Sequence, residues 1–259
     1  MPIVLSNKQR IYYCVEGERG PFVLLYPPFL ESAQSWYRFN YVEKLKDQFR
    51  LILIDPLGQG RSDTCLVKEQ YTLESRATHV IDIMEELKVS NFHFFGIGLG
   101  GQVGFFMASH FPRYLRSLAT IDAHPYAITT ELQKTQEIIQ ILRTEGVAAY
   151  LKNMKLQEEV SPEREATMMQ GIPNAYAFAL EGICQWEGIG KKLNSILTPS
   201  LLFTATEEEK FLAIREAGRM MSRARYLILP ELSYKDGFVD AELIVPHFID
   251  FIRKLRWSE

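Results

Sequence analysis

Phe92-His93-Phe94-Phe95-Gly96-Ile97-Gly98-Leu99-Gly100-Gly101-Gln102-Val103-Gly104 is an apolar run that passes through a cluster of glycines into a helix-forming segment. Glycine tolerates positive φ and lets another backbone approach closely, so such a cluster between strand and helix predicts a sharp, crowded turn. Two spacings coexist in it. Gly96, Gly98 and Gly101 fit G-x-G-x-x-G, and Asp122 closes the next apolar run, where an acid could hold a ribose hydroxyl; this is the pattern of a dinucleotide site. Gly96 and Gly100 equally fit the flanks of G-x-S-x-G, a turn that lifts a nucleophile above a sheet, with Gly98 standing at the serine position. The dinucleotide pattern normally opens a βαβ unit. Here a hairpin and two strands precede it, which favours the second spacing.

Outward from this turn, Val4 and Ile11-Tyr12-Tyr13-Cys14-Val15 flank the polar Ser6-Asn7-Lys8-Gln9 and read as an amino-terminal hairpin. Phe22-Val23-Leu24-Leu25, Leu51-Ile52-Leu53-Ile54 and the run from Leu115 to Ile121 are strand-like. Between them, residues 73–87 carry Ala77, Val80, Ile81, Met84 and Leu87 on one helical face. Two further runs, Leu201-Leu202-Phe203 and Tyr226-Leu227-Ile228-Leu229, precede a helical tail over 242–255. Alternating strands and helices predict an α/β fold with a mostly parallel sheet covered on both faces. Residues 125–199 break the rhythm: helical periodicity, no convincing strand, and aromatics at Tyr126, Tyr150, Tyr176, Phe178 and Trp186. The expected division is therefore a core of 1–124 and 200–259 with a helical cap, 125–199, over the carboxyl edge of the sheet, where open α/β sheets bind ligands. An ordinary helical layer is the alternative.

The chain has 259 residues, 47% hydrophobic and 24% charged, the composition of a globular domain. Lys+Arg 29 against Asp+Glu 32 gives a net charge of −3 with no basic cluster, so no nucleic-acid partner is expected. No apolar run approaches the ~18 to 20 residues that span a bilayer, and no signal peptide is visible, so no membrane partner is expected either. Cys14, Cys65 and Cys184 are widely separated, which suggests neither disulfides nor a metal site and fits a reducing cytoplasm. Cys184 reads as a small buried hydrophobe.

Taken together, the neighbours of the glycine turn resemble the α/β-hydrolase family over nearly the whole chain. Pro27-Pro28-Phe29-Leu30-Glu31-Ser32 with Trp36 is similar to the family's oxyanion loop. Asp55-Pro56-Leu57-Gly58-Gln59-Gly60-Arg61-Ser62-Asp63 is similar to its loop after the next strand. Ile121-Asp122-Ala123-His124-Pro125-Tyr126, Leu201-Leu202-Phe203-Thr204 and Leu229-Pro230-Glu231-Leu232-Ser233-Tyr234 follow in the family's order. The resemblance implies an α/β-hydrolase fold with a cap.

What the resemblance implies for catalysis is a set of departures. The family needs a nucleophile at the elbow, an acid, and a late histidine base. Gly98 has no side chain, Glu208 is the acid that survives, and the histidine position aligns with Tyr234, whose phenol, with an ordinary pKa near ~10, is a poor base at neutral pH. Pro27-Pro28 replaces His-Gly in the oxyanion loop, leaving the N–H groups of Phe29 and Leu99 as donors. Of the five histidines, His79, His93, His110 and His247 read as packing or surface residues, while His124 follows the strand ending at Ile121, beside the expected pocket. Asp122 sits where some members keep an alternative acid. The expected function is binding or conversion of an apolar small molecule without a covalent nucleophile, of cyclase, isomerase or lyase type, lined by Phe29, Leu99, Asp122, His124 and Trp186. No cofactor and no metal is called for. A non-catalytic binding or interaction module and an unconventional hydrolase are the alternatives.

Overall fold

The computed structural model describes residues 2–129, 131–205, 210–229 and 234–256. Eight strands form one sheet in the order β1-β2-β4-β3-β5-β6-β7-β8, built from β1 (Ile3–Ser6), β2 (Gln9–Glu16), β3 (Phe22–Tyr26), β4 (Arg50–Ile54), β5 (Phe92–Ile97), β6 (Leu115–Ile121), β7 (Ser200–Thr204) and β8 (Ala224–Ile228). The amino-terminal hairpin, β1 with β2, joins β4 antiparallel, with Tyr13 opposite Ile54; from β4 to β8 every pairing is parallel. All six residues of β5 are buried, as a central strand covered on both faces requires. At the two edges burial falls off: β1 alternates exposed and buried, and no residue of β8 is fully buried.

Two apolar cores lie on opposite faces. One packs Val23, Leu25, Leu53 and Phe95 against α1 (Ala33–Arg38), α2 (Tyr41–Leu45) and α10 (Ala241–Arg256), through Trp36, Tyr41, Ile244 and Phe248. The other packs Leu24, Ile52, Phe94 and Leu118 against α3 (Leu73–Glu86), α4 (Leu99–His110) and α9 (Phe211–Met220). The mostly parallel sheet with helices on both faces is the α/β-hydrolase architecture expected from the sequence. The segment between β6 and β7 carries α5 (Leu132–Thr144), α6 (Val147–Met154), α7 (Pro162–Met169) and α8 (Pro173–Cys184), and an isolated antiparallel bridge joins Tyr126 to Gly188. Residues 234–239 close a short hairpin, β9 (Tyr234–Lys235) with β10 (Phe238–Val239), that periodicity could not reveal in so few residues. No helix among the described residues is long and apolar enough to cross a membrane.

Candidate functional site

The turn after β5 has the geometry its glycines demand. Gly98 caps α4 at φ 51°, ψ −116°, a combination open essentially to glycine alone without strain, and its N–H donates to the Ile121 carbonyl at 2.9 Å. A Cβ on Gly96 would lie 2.4 Å from the Gly100 carbonyl carbon. One on Gly100 would lie 2.4 Å from the Tyr26 oxygen, and one on Gly101 2.4 Å from the Ala123 Cβ. These glycines let strand, helix and neighbouring strand ends interpenetrate. Gly98 differs: a Cβ there would meet only Pro28, at 3.7 Å, so it opens on space.

That space is a cavity of about 390 Å³, floored by Gly98 and Leu99 and walled by Pro28 and Phe29 on one side and by Leu180 and Ile183 of α8 on another. Its remaining wall is charged. Asp122, strained at φ 50°, accepts from the Lys210 ammonium at 2.9 Å, while its second oxygen is buried without a hydrogen-bond partner among the described residues. Lys210 also stands 3.9 Å from Glu131. His124, buried, accepts the Tyr126 N–H on Nδ1 at 3.3 Å, which leaves the ring proton of the neutral imidazole on Nε2, facing Glu131 at 3.9 Å. The His124 ring and then Lys210 hold Glu131 below the usual carboxylate range, against the opposing effect of burial. An anionic Glu131 beside the Nε2–H favours this tautomer, with the ring proton directed toward Glu131 at the edge of the cavity.

Two carboxylates outside the cavity fix its rim. Asp55 accepts from the backbone N–H groups of Ala33 and Arg61 at 2.7 and 2.8 Å, tying the loop after β4 to the start of α1. Glu31, on the loop that carries Pro28 and Phe29, accepts from Ser35 and pairs with Arg38 at 3.2 Å and Arg164 at 3.1 Å. Burial pushes the Glu31 carboxyl up, and Ser35 and the two guanidiniums pull it back. The same arginines face Asp236, in the turn between β9 and β10, at 3.3 Å from Arg38 and 3.9 Å from Arg164. Asp236 in turn accepts from the N–H of Ser161 at 3.0 Å and from its hydroxyl at 2.5 Å, and Ser161 caps α7. One buried charge cluster thus joins the Phe29 loop, the hairpin that begins at Tyr234, and helix α7.

Of the residues singled out from sequence, Gly98, Leu99, Phe29, Asp122 and His124 line this one cavity. Trp186 does not; it is half-buried and packs against the apolar core of the α3 face. Aromatic content cannot tell a residue that lines a cavity from one that fills a core. Glu208 lies outside the described residues. Tyr234 opens β9 with its backbone paired to Val239, and its side chain lies outside the described part. The wall is also less apolar than expected: Glu131, Lys134, Arg164 and Lys210 add charges that no motif announced. His79 and His93 are buried packing residues, His93 bonded to the Ser117 hydroxyl at 2.8 Å, and His110 is exposed. Among the described residues, no group of three or more His, Cys, Asp or Glu is placed to hold a metal ion, and the three cysteines are free.

Comparison with known proteins agrees with this geometry. The family model of the alpha/beta hydrolase fold matches residues 21–143. A protein of Bacillus subtilis (strain 168) provisionally named 2-succinyl-6-hydroxy-2,4-cyclohexadiene-1-carboxylate synthase is 24% identical over 252 residues, covering 90% of each chain. Among solved structures, the enol-lactonase of Burkholderia xenovorans LB400 superposes with a TM-score of 0.83 at 21% identity, covering 97% of this chain and 100% of its own. The bottromycin epimerase BotH superposes with a TM-score of 0.74 at 16% identity, covering 88% and 90%. The sheet order, the family-model match over residues 21–143 and the near-complete superpositions show that the chain has the alpha/beta hydrolase fold.

Proposed function

We propose that this chain uses the elbow cavity to bind and convert an amphipathic small molecule without a covalent nucleophile. The reading is carried by Gly98: the turn that presents a nucleophile keeps its backbone conformation, while the position itself offers an open cavity floor and no attacking atom. On this reading, acyl transfer through an enzyme-bound ester would have no group at this position to start it. Two groups that could move or hold a proton stand around the floor, the Asp122 oxygen without a partner among the described residues as acceptor and the Nε2–H of His124 as donor, and the family resemblance adds Tyr234 and Glu208 at its base and acid positions. Cyclisation, isomerisation or elimination needs no more than such proton transfers on a substrate held in one orientation. That the epimerase BotH shares the fold supports the compatibility of the scaffold with isomerisation, though function resides in the site. The ligand is amphipathic on this reading because Phe29, Leu99, Leu180 and Ile183 face Asp122, His124 and Lys210 across the same space. A purely binding role is the second reading, favoured by the direct Lys210–Asp122 pair, which satisfies two of the charges without a ligand. The reducing cytoplasm remains the expected compartment.

Mass spectrometry of small molecules that copurify with the protein tests this. A specific ligand is expected, and its conversion on incubation separates enzyme from binder. Neither stoichiometric labelling by a serine-directed fluorophosphonate nor turnover of a generic ester is expected; either result overturns the reading. Gly98→Ser alone should not create an esterase, because a serine hydroxyl needs a base to take its proton and Tyr234 is a poor one at neutral pH.

A further inference from the structure

A second and larger cavity adjoins the first. It measures about 590 Å³ and is an open groove in the segment between β6 and β7, where Ile138 and Ile141 of α5 face Tyr150 and Met154 of α6, with the exposed Glu137, Asn153, Leu156 and Gln157 along its margin. Three observations tie it to the elbow cavity. Lys134 lines both. Arg164 lines the inner cavity and Glu158 the outer one, and the two side chains pair at 3.2 Å. α5 and its N-cap line both cavities from successive turns of one side, Glu131 and Thr135 the inner space and Ile138 and Ile141 the outer, with Lys134 lining both. A lysine stem and one ion pair thus connect the linings of the two cavities. Glu158 is 39% exposed in its side chain and makes a weak pair, so it can turn to solvent while Arg164 stays against Glu31 and Asp236.

We propose that the two cavities are head and tail compartments of one site, and that the ligand is a straight-chain aliphatic amphipath. Its polar head lies over Gly98 against Asp122, His124 and Lys210, and its tail passes the Arg164–Glu158 pair to lie against Ile138, Ile141, Tyr150 and Met154. A compact ligand would fill the inner space and leave unused the apolar floor of the larger one, formed by Ile138, Ile141, Tyr150 and Met154. A tail buried there gains the hydrophobic transfer energy of every methylene that leaves water. This proposal rests on the elbow cavity being the ligand site, and adds to it the class of ligand.

Calorimetric titration with straight-chain alkanoates from butanoate to tetradecanoate, kept below micellar concentrations, tests it. Once the chain is long enough to leave the inner cavity, affinity should rise about fourfold per added methylene, the equivalent of ~0.8 kcal/mol each. Ile141→Trp, which fills the outer cavity, should flatten this rise and leave short-chain affinity unchanged. Leu156→Arg should do the same at a position 80% exposed, where folding is not at stake. Affinity that levels off at the shortest chains, no binding of any alkanoate, or variants that weaken butanoate as much as tetradecanoate would overturn the tail compartment. Leu99→Trp, which obstructs the inner cavity, separates the two readings. If it abolishes binding of a copurified compact molecule that Ile141→Trp and Leu156→Arg leave untouched, the elbow site stands and the tail proposal falls. If it changes no ligand's affinity, both fall.

Discussion

A single missing side chain at Gly98 sets both the chemistry and a measurable energy. Its φ and ψ, 51° and −116°, are costly for any other residue, while the space above it is open to 3.7 Å, so a substitution there pays strain without a clash. Gly98→Ala should lower stability by about 1 to 3 kcal/mol, read as a shifted urea midpoint with unchanged slope. Gly100→Ala should cost more than Gly98→Ala, because its methyl would sit 2.4 Å from the Tyr26 oxygen and strand and helix would have to part. Equal losses would mean that strain and not crowding governs the whole turn. His79 gives a second residue-scale test. Fully buried on α3, with neither ring nitrogen hydrogen-bonded among the described residues, it is pushed down to about 3 by burial and by the neighbouring Arg76 guanidinium. The native ring stays neutral while the unfolded one takes a proton below pH ~6.5, so its stabilising share is complete above that pH and is lost as pH falls toward ~3. Between pH 7 and pH 5 the loss is about 2 kcal/mol. Urea midpoints at the two pH values should fall further for the wild type than for His79→Leu, and parallel falls would remove His79 as the source.

At the level of elements, three regions far apart in sequence meet in one buried charge cluster: α1 with the loop before it, α7, and the β9–β10 turn. Asp236 is its hub, fully buried and held by Ser161, Arg38 and Arg164. Taking one partner from a buried ionic cluster leaves the others unpaired in a poor dielectric, so Asp236→Ala should cost about 3 to 5 kcal/mol. It should also raise hydrogen exchange at the amino end of α7, where Ser161 loses its acceptor; a variant as stable as wild type would show that the arginines are satisfied by Glu31 alone. This cluster was invisible in the sequence because nothing in Glu31, Arg38, Arg164 and Asp236 has a period or a spacing. The strands were legible for the opposite reason. Short apolar runs bounded by turn residues have few readings, and the glycines after Phe95 admit one turn geometry once another strand end must pass over them. The same limit explains the site: Asp122 and His124 could be placed from the end of a strand, whereas Lys210 and Glu131 reach the cavity only through the packing of separate helices. The predicted helical segments 73–87 and 242–255 matched α3 and α10 to within a residue or so at each end, since a one-sided apolar stripe is a strong local signal.

For the whole molecule, the packing of residues 125–199 decides whether they unfold by themselves or with the sheet. A chain of this size need not unfold in a single step, and an insertion with its own core would melt by itself. Here the apolar contacts argue for one unit: Ile139, Leu142, Met168, Tyr176 and Leu180 of the inserted helices belong to the same buried cluster as Leu24, Phe94 and Leu118 of the sheet. The charge cluster adds a second tie on the other side, through Ser161 and Arg164 to Asp236 and Glu31. Each tie breaks only when the sheet edge and the insertion separate, so the cost of opening the insertion alone approaches that of unfolding the domain. Trp36 and Trp186 make this measurable, because Trp36 is wholly buried on the α10 face of the sheet while Trp186 is half-buried beside the inserted helices. In urea, the fluorescence of a Trp186→Phe variant, with Trp36 and Trp257 retained, should follow the same transition as far-UV circular dichroism and as the fluorescence that the wild type adds through Trp186. An early, separate change in the Trp186 signal would make the insertion its own cooperative unit, and the cavity it covers would then open without unfolding the sheet.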